Sequence, residues 1–396
     1  MTEEHVRVRP ERFVAGGESL AHGADGRIVF VRGGVPGDEV VAHVIEHKDA
    51  WSRAVVTDVV TPAPDRVEPP CPQRRLGCGG CDWQQVAVPT QLGWKTEIVR
   101  DAFRRTARLP DALITSGSAV DPVGYRTSVR VVGGDDGAPS YRLDRSHDTV
   151  PAAGCLIVHP GLAELLERIT VPAGVEVSLR VSAATGERTA RWDHRRGEVT
   201  GLPDDVGVGA QAVVHEDVCG HRLRVSAGSF FQSGPQAAEL LVETVRAAAP
   251  ELAGATTVLD AYAGVGLFAV AATEPESTVI TIENSRTAVA DTRVNLAARS
   301  AQIEALQVGR WRRPDGCVVD VAIADPARSG LGKPGVAAMA SAGAPVVVLV
   351  SCDPVSAARD AALLAAHGYR HDGTVVLDLF PQTHHVECVT RFVRAD

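Results

Sequence analysis

Four apolar runs set in a helical background constrain this chain more than any other feature. TTVLD (256–260), STVITIE (277–283), VDVAIAD (319–325) and PVVVLVS (345–351) are apolar almost throughout. A strand with one wet face alternates apolar and polar residues, whereas a continuous run suits a strand covered on both faces. Helical stretches lie around and between these runs, at Pro235 to Ala249, Ser285 to Ser300 and Pro354 to His367. Alternating strand and helix predict a doubly wound parallel sheet. The chain ends in two strand-like runs, GTVVLDLF and VECVTRFV, separated by PQTHH. They predict a terminal hairpin on that sheet.

Upstream the pattern differs. Residues 1–61 alternate like a small β-barrel, with HVRVRP, GRIVFVRG and DEVVAHVIEHKDAWSRAVVTDVV joined by glycine-rich turns. An OB-like barrel is predicted. TPAPDRVEPPCP, with five prolines from Pro62 to Pro72, is a linker. At about 150 residues per domain, 396 residues make two to three domains. The predicted division is 1–61, a central α+β unit at 62–225, and an α/β unit at 226–396. An amphipathic helix at 94–109 is placed in the central unit, with the option of packing on the last one.

No apolar run approaches the roughly 18 residues of a membrane span, and MTEEHVRVRPERF has no apolar signal core. The expectation is a cytoplasmic protein with no membrane partner and no obligate protein partner. A net charge of −9 excludes a protein that coats nucleic acid, but not one with local basic patches. Trp94 to Arg108 holds five basic and two acidic residues, and Arg310, Arg312 and Arg313 flank Trp311. Such patches would hold phosphates, with Trp311 stacking on a base. The plainer readings are a solvated helix face and an exposed loop.

The first apolar run leads into Asp260-x-x-x-Gly264-x-Gly266, and Glu283 ends the second run. Glycines let a backbone turn tightly beside a ligand, and a strand-end carboxylate can accept ribose hydroxyls. Neither the dinucleotide fingerprint nor a P-loop is present. Such a loop with a strand-end acid resembles the S-adenosylmethionine pocket of class I methyltransferases.

Three more motifs end later strands, where open α/β sheets hold their ligands. They are DPARSG with Asp325, SCDP with Cys352 and THHVE with Glu387. Taken singly, Cys352 reads as a core thiol and Glu387 as a solvated carboxylate. Together they suit methylation of uracil C5, a poor nucleophile. A thiolate adding to C6 activates C5, and a base then removes the C5 proton. A helix beginning after Cys352 is expected to favour its thiolate.

Cys71-x6-Cys78-x2-Cys81 forms a second cluster, with Cys155 the best fourth ligand and Cys219 the next. Spacing alone leaves zinc and an iron–sulfur cluster equally open. In a cytosolic chain such a cluster reads as a metal or catalytic site rather than a disulfide framework. Cys317 and Cys388 read as inert core thiols, and His384 and His385 as turn or packing residues.

The whole ordered set resembles the S-adenosylmethionine-dependent RNA 5-methyluridine (uracil-C5) methyltransferases. SFFQSG with Gln232, DAYAGVG with Tyr262, Glu283, DPARSG, SCDP and THHVE occur in that family's order. The resemblance implies Cys352 as nucleophile, Glu387 as general base and Asp325 beside the target base. It implies Gln232, Tyr262, Gly264, Gly266, Glu283 and Asp325 at the methyl donor. It further implies an N-terminal TRAM barrel, a C-terminal Rossmann-like methyltransferase domain, and a 4Fe-4S cluster on Cys71, Cys78, Cys81 and Cys155, with zinc second. RNA is the implied partner, ribosomal RNA ahead of transfer RNA. Ala327, Leu267, Cys388 and an extra residue between Cys71 and Cys78 depart from the family pattern, and none removes a group that the chemistry needs. The rival readings are an RNA-binding iron–sulfur protein with an inactive methyltransferase fold, and an amino-group methyltransferase. Arg328 and Cys352 argue against the latter. A nicotinamide oxidoreductase is disfavoured by the missing fingerprint.

Overall fold

Eight strands build the largest sheet of the computed structural model, which describes residues 4–143 and 146–395. They are β1 (Ile114–Ala119), β2 (Thr257–Ala261), β3 (Thr278–Ile282), β4 (Ala301–Glu304), β5 (Val321–Ala324), β6 (Val346–Ser351), β7 (Tyr369–Asp378) and β8 (Glu387–Arg394). Their spatial order is β4-β3-β2-β5-β6-β8-β7-β1. The five strands from β4 to β6 are mutually parallel. β8 inserts antiparallel between β6 and β7, as the terminal hairpin.

The apolar runs are buried on both faces. Val258, Val279, Ile323 and Val348 pack on Leu241, Val242 and Val245 of the helix Pro235–Ala248. Their strand neighbours Leu259, Ile280, Ala322 and Leu349 pack on Val336 and Met339 of Gly332–Ala342 and Leu364 of Pro354–Ala365. The twofold period of a strand sends alternate residues to opposite layers. Each fully buried Val, Leu or Ile contributes about 1.5–3 kcal/mol.

β1 extends this sheet into the segment assigned above to the central unit. It pairs parallel with β7, and the helix Val88–Ala102 packs against both strands. ITSGSA carries no apolar run because, beyond Ile114, this edge strand is exposed. Lys95 is fully buried and its Nζ donates to Asp378 Oδ1 at 2.6 Å. This pair fixes the helix to β7. The helix starts at Val88 rather than Trp94 and ends in a π-turn at Phe103–Ala107.

Six strands between His5 and Thr61 form the first sheet. Its two edge strands, His5–Val8 and Arg12–Phe13, are consecutive in the chain. Four residue steps reach at most about 14 Å. A flat six-stranded sheet would hold its edges about 24 Å apart. The sheet is therefore curled. A second six-stranded sheet spans residues 128–208, and a two-stranded hairpin follows at Val213–Val218 and His221–Ser226. Among the described residues, no helix is long and apolar enough to cross a membrane.

Candidate active site

Strand register assembles the site. The five parallel strands place their C-terminal ends along one edge, and an antiparallel neighbour must begin where they end. β8 does so: its second residue, Cys388, pairs with Ser351, the last residue of β6. Glu387 thus opens β8 beside Cys352, which follows β6. Asp325 follows β5, one strand further in. The chain order reverses between β2 and β5, the position at which such sheets bind ligands.

Glu387 is 4% exposed. Burial, then the charge of Asp325, pushes its carboxyl well above the usual range. Burial pushes Asp325 up to about 7, while Gln232, whose Nε2 donates to Asp325 Oδ2 at 3.3 Å, opposes the rise. Cys352 is pushed up to about 12 by burial and then by Glu387 and Asp325, against a smaller pull from Arg328. The expectation of a thiolate favoured by the helix terminus is therefore corrected. Asp353 caps that helix by accepting from Ser356 N at 2.7 Å. Desolvation and the two acids work against the thiolate that the helix end was expected to favour.

A second part of the same edge holds the glycine loop. The register Ala261–Ile282 sets Tyr262 and Glu283 side by side. Gly264 and Gly266 have φ of +57° and +88°, which favours glycine, and Tyr262 itself holds φ +61°. Glu283 Oε2 accepts from Gly264 N at 3.0 Å, and Oε1 from Asn284 N and Ser285 N, each at 2.7 Å. A carboxylate has roughly four acceptor sites, so about one stays free for a hydroxyl. Tyr262, Glu283, Gln307, Leu331 and Pro334 line a cavity of about 290 Å³. Beneath the loop, Asp260 is fully buried, accepts from Ala269 N at 3.0 Å, and is pushed up to about 8 by burial.

The other cluster lies apart from this edge. Cys71, Cys78, Cys81 and Cys155 line one cavity of about 250 Å³ with Arg74, Arg126, Arg130 and Tyr141. Cys219 is elsewhere, its backbone N donating to Glu239. Burial raises Cys78, Cys81 and Cys155, Cys81 to about 12. Among the described residues, no three His, Cys, Asp or Glu side chains are arranged so as to hold a metal ion. The four thiols share a cavity without forming a single-ion site.

Other expectations change. Trp311 is 3% exposed and packs in the core, so it cannot stack on a base. Its flanking arginines hid an apolar anchor. Arg104 and Arg105 are both paired with Asp101. Cys388 is fully buried, but Cys317 is only half-buried. His385 is more than a turn residue: its Nε2 lies 3.4 Å from Arg328 Nη2, and burial lowers it to about 3. Sequence reasoning passed over Phe230, which is 73% exposed between buried Ser229 and Phe231. The doubled aromatic beside Gln232 was the available signal.

No family model matches the chain. An uncharacterised RNA methyltransferase of Streptomyces avermitilis is 34% identical to it over 411 residues, 94% of each chain. Another, from Streptomyces coelicolor, is 33% identical and covers 98% of this chain and 92% of its own. The crystal structure of Pyrococcus abyssi tRNA (uracil-54, C5)-methyltransferase in complex with S-adenosyl-L-homocysteine gives a TM-score of 0.74 at 23% identity. The likeness covers 98% of this chain and 100% of that one, and shows the fold. Identity of 34% along nearly the full length settles the relationship: the chain belongs to the RNA methyltransferase family.

Proposed function

We propose that this protein transfers a methyl group from S-adenosylmethionine to C5 of a uridine in structured RNA. One observation carries the reading: the β6–β8 register that sets Glu387 beside Cys352, with Asp325 in the same buried acid group. S-adenosylmethionine would supply an electrophilic methyl sulfonium. Tyr262 and Glu283 fit its binding, by the cavity that they line at the strand ends and the acceptor capacity left on Glu283, while the glycine loop, Gln232 and Asp325, which do not line that cavity, are assigned to the donor by the resemblance.

The chain's own groups do the rest. Cys352 Sγ adds to uracil C6 and loses its proton as it does so. Asp325, raised by burial and held back by the Gln232 hydrogen bond, is the group suited to take that proton. The C5 enolate then accepts the methyl group. Glu387, ionised for this step, removes the C5 proton, the C5–H electron pair forms the C5–C6 double bond, and the C6–S bond breaks with its pair leaving on Cys352 Sγ, which takes back the proton held by Asp325. Exclusion of water by the buried carboxyls keeps the adduct from side reactions. A uridine in folded RNA must be flipped out to reach Cys352, and exposed Phe230 offers a face for a displaced base.

The domains are read as a TRAM-like RNA-binding barrel at 1–61, a cysteine-bearing central unit within 62–225 and the methyltransferase unit at 226–396, onto which the helix Val88–Ala102 and β1 of the central segment pack. The curl of the first sheet supports the barrel. The four-cysteine cavity is several times larger than the ~30 Å³ of one water. Its room and its three arginines suit an anionic 4Fe-4S cluster better than one zinc ion. Such a cluster would hold the central unit together.

Ribosomal RNA is the first substrate reading. Transfer RNA is the second, favoured by the structural neighbour that acts on tRNA. Nucleosides from the two RNA pools, analysed separately by mass spectrometry with and without the gene, decide both points. Loss of 5-methyluridine from one pool is expected. No loss from either would overturn the uridine assignment.

A further inference from the structure

A short bridge joins the two thiol regions. Asp82 directly follows Cys81. Its Oδ1 accepts the backbone N–H of His384 at 3.1 Å, and its Oδ2 lies 2.6 Å from His384 Nδ1. The next residue, Trp83, donates its backbone N–H to Gln382 O at 2.9 Å. Gln382 N donates to Gln91 Oε1 at 2.7 Å, and Gln91 Nε2 donates back to Trp83 O and Val86 O. The two residues after Cys81 thus grip residues 382 and 384, at the turn that leads into Glu387.

That turn is tightly specified. Gln382 has φ +71°, a conformation that needs support from its surroundings. The first sheet closes over the same point. Trp83 Nε1 donates to Gly17 O at 3.0 Å, and a Cβ on Gly17 would lie 2.6 Å from His384 Cβ. On the far side, His385 meets Arg328 and the ring of Phe380. The 380–386 segment is therefore clasped between the cysteine segment and the DPARSG loop. An exposed ion pair alone contributes about 0–1 kcal/mol. What matters here is where Asp82 acts: it also holds a backbone N–H, three residues before Glu387.

We propose that Asp82 is a positioning residue for Glu387, holding the 382–386 turn so that the carboxyl meets the C5 proton. This rests on the reading of Glu387 as the base. Asp82 acts on the release step and not on attack by Cys352, because β6 and its helix present Cys352 without help from the turn.

The test separates those steps. The RNA that loses 5-methyluridine on gene deletion is transcribed with uridine or with 5-fluorouridine. In the fluorinated RNA C5 carries no proton to remove, so the covalent adduct forms without the base step and persists. Asp82→Ala is expected to form that adduct at the wild-type rate within about twofold. On ordinary uridine RNA its turnover falls by about tenfold to a hundredfold, and an SDS-stable protein–RNA adduct accumulates. His384→Ala, which removes the side-chain contact but keeps the backbone N–H that Asp82 accepts, should show the same pattern at smaller amplitude, and Asp82→Asn, which keeps an acceptor for His384 N–H, should stay near wild type. Iron content and thermal midpoint are measured on each variant and should match wild type. Equal losses on both RNAs, no loss on either, or loss of iron together with turnover would overturn the proposal. If Asp82→Ala does not fold, the same outcomes are read on His384→Ala. If the wild-type protein forms no adduct with the fluorinated RNA, the assignment of Cys352 and Glu387 fails instead.

Discussion

Cys352 and the Cys71/Cys78/Cys81/Cys155 group share a residue type and differ in their company. Burial raises thiols in both places. Around Cys352 the charged neighbours are chiefly Glu387 and Asp325, which raise it further. Around the other group the neighbouring thiols raise one another, and arginines oppose them: Arg74 pulls Cys78 down and Arg126 pulls Cys81 down. A thiol among carboxylates stays protonated until a substrate reorganises the site. A thiol beside guanidiniums that gives up its proton to a cationic centre leaves an anionic product that those cations offset. Position in the fold decides which is which. One group lies at the C-terminal ends of a sheet, the other in a cavity walled by several segments.

The sharpest way to break this contrast is to remove one thiol from each region. Cys352→Ala should lower methyl transfer by about 10⁴-fold or more, as loss of a covalent nucleophile does elsewhere. Adduct formation should vanish, with the thermal midpoint nearly unchanged. Cys388→Ala, one strand away and fully buried, should keep activity and lose stability instead. If Cys352→Ala keeps methyl transfer, Cys352 is not the nucleophile and the two thiol regions are both structural.

Glu387→Gln comes next. It keeps the size of the side chain and removes the base. Turnover should fall by about 10²- to 10⁴-fold. The Cys352 adduct with uridine RNA should accumulate rather than disappear, which separates the base from the nucleophile. A variant that neither turns over nor forms adduct would mean that Glu387 serves attack as well as release.

The arginine-lined cavity is tested by Cys155→Ser. Iron and acid-labile sulfide should fall to background, and the midpoint should drop by about 2–4 °C for each kcal/mol lost. Adduct formation by surviving folded protein should persist. Purified protein with one equivalent of zinc and no iron would overturn the cluster and restore the zinc reading that spacing left open.

Much of this was legible in the sequence because strand ends are local events. Cys352, Glu387, Asp325 and Glu283 each sit within two residues of an apolar run, so their place on one edge follows once the runs are read as parallel strands. The runs betray themselves by being buried on both faces. β1 was missed for the converse reason: ITSGSA is an exposed edge strand, and its partner β7 lies more than 250 residues away. Trp311 was misplaced because adjacent arginines suggested a surface, while burial depends on the helix Gly332–Ala342 packed against its turn. The Cys352 proton was misjudged because a helix end is visible in sequence and a dielectric is not. The Asp82–His384 contact spans 302 positions and has no periodic signature.

The smallest expected effect tests whether burial alone governs the acid side of the contrast. Asp260 lies under the glycine loop, fully buried and pushed from 3.8 to about 8, chiefly by desolvation and then, against one backbone hydrogen bond, by Asp325 and Glu283. A carboxyl with a raised native pKa binds more protons folded than unfolded across that window. Its contribution to stability is therefore present below about pH 4 and is lost as the pH rises towards 8. Asp260→Asn keeps an acceptor for Ala269 N and places an N–H₂ where Oδ1 now has no hydrogen-bond partner. It cannot titrate, so its stability relative to wild type should improve between pH 5 and pH 8. Denaturant midpoints at the two pH values measure this directly. A gap that stays constant with pH would show that Asp260 is ionised in the folded protein, and that the Ala269 amide, rather than burial, sets its charge.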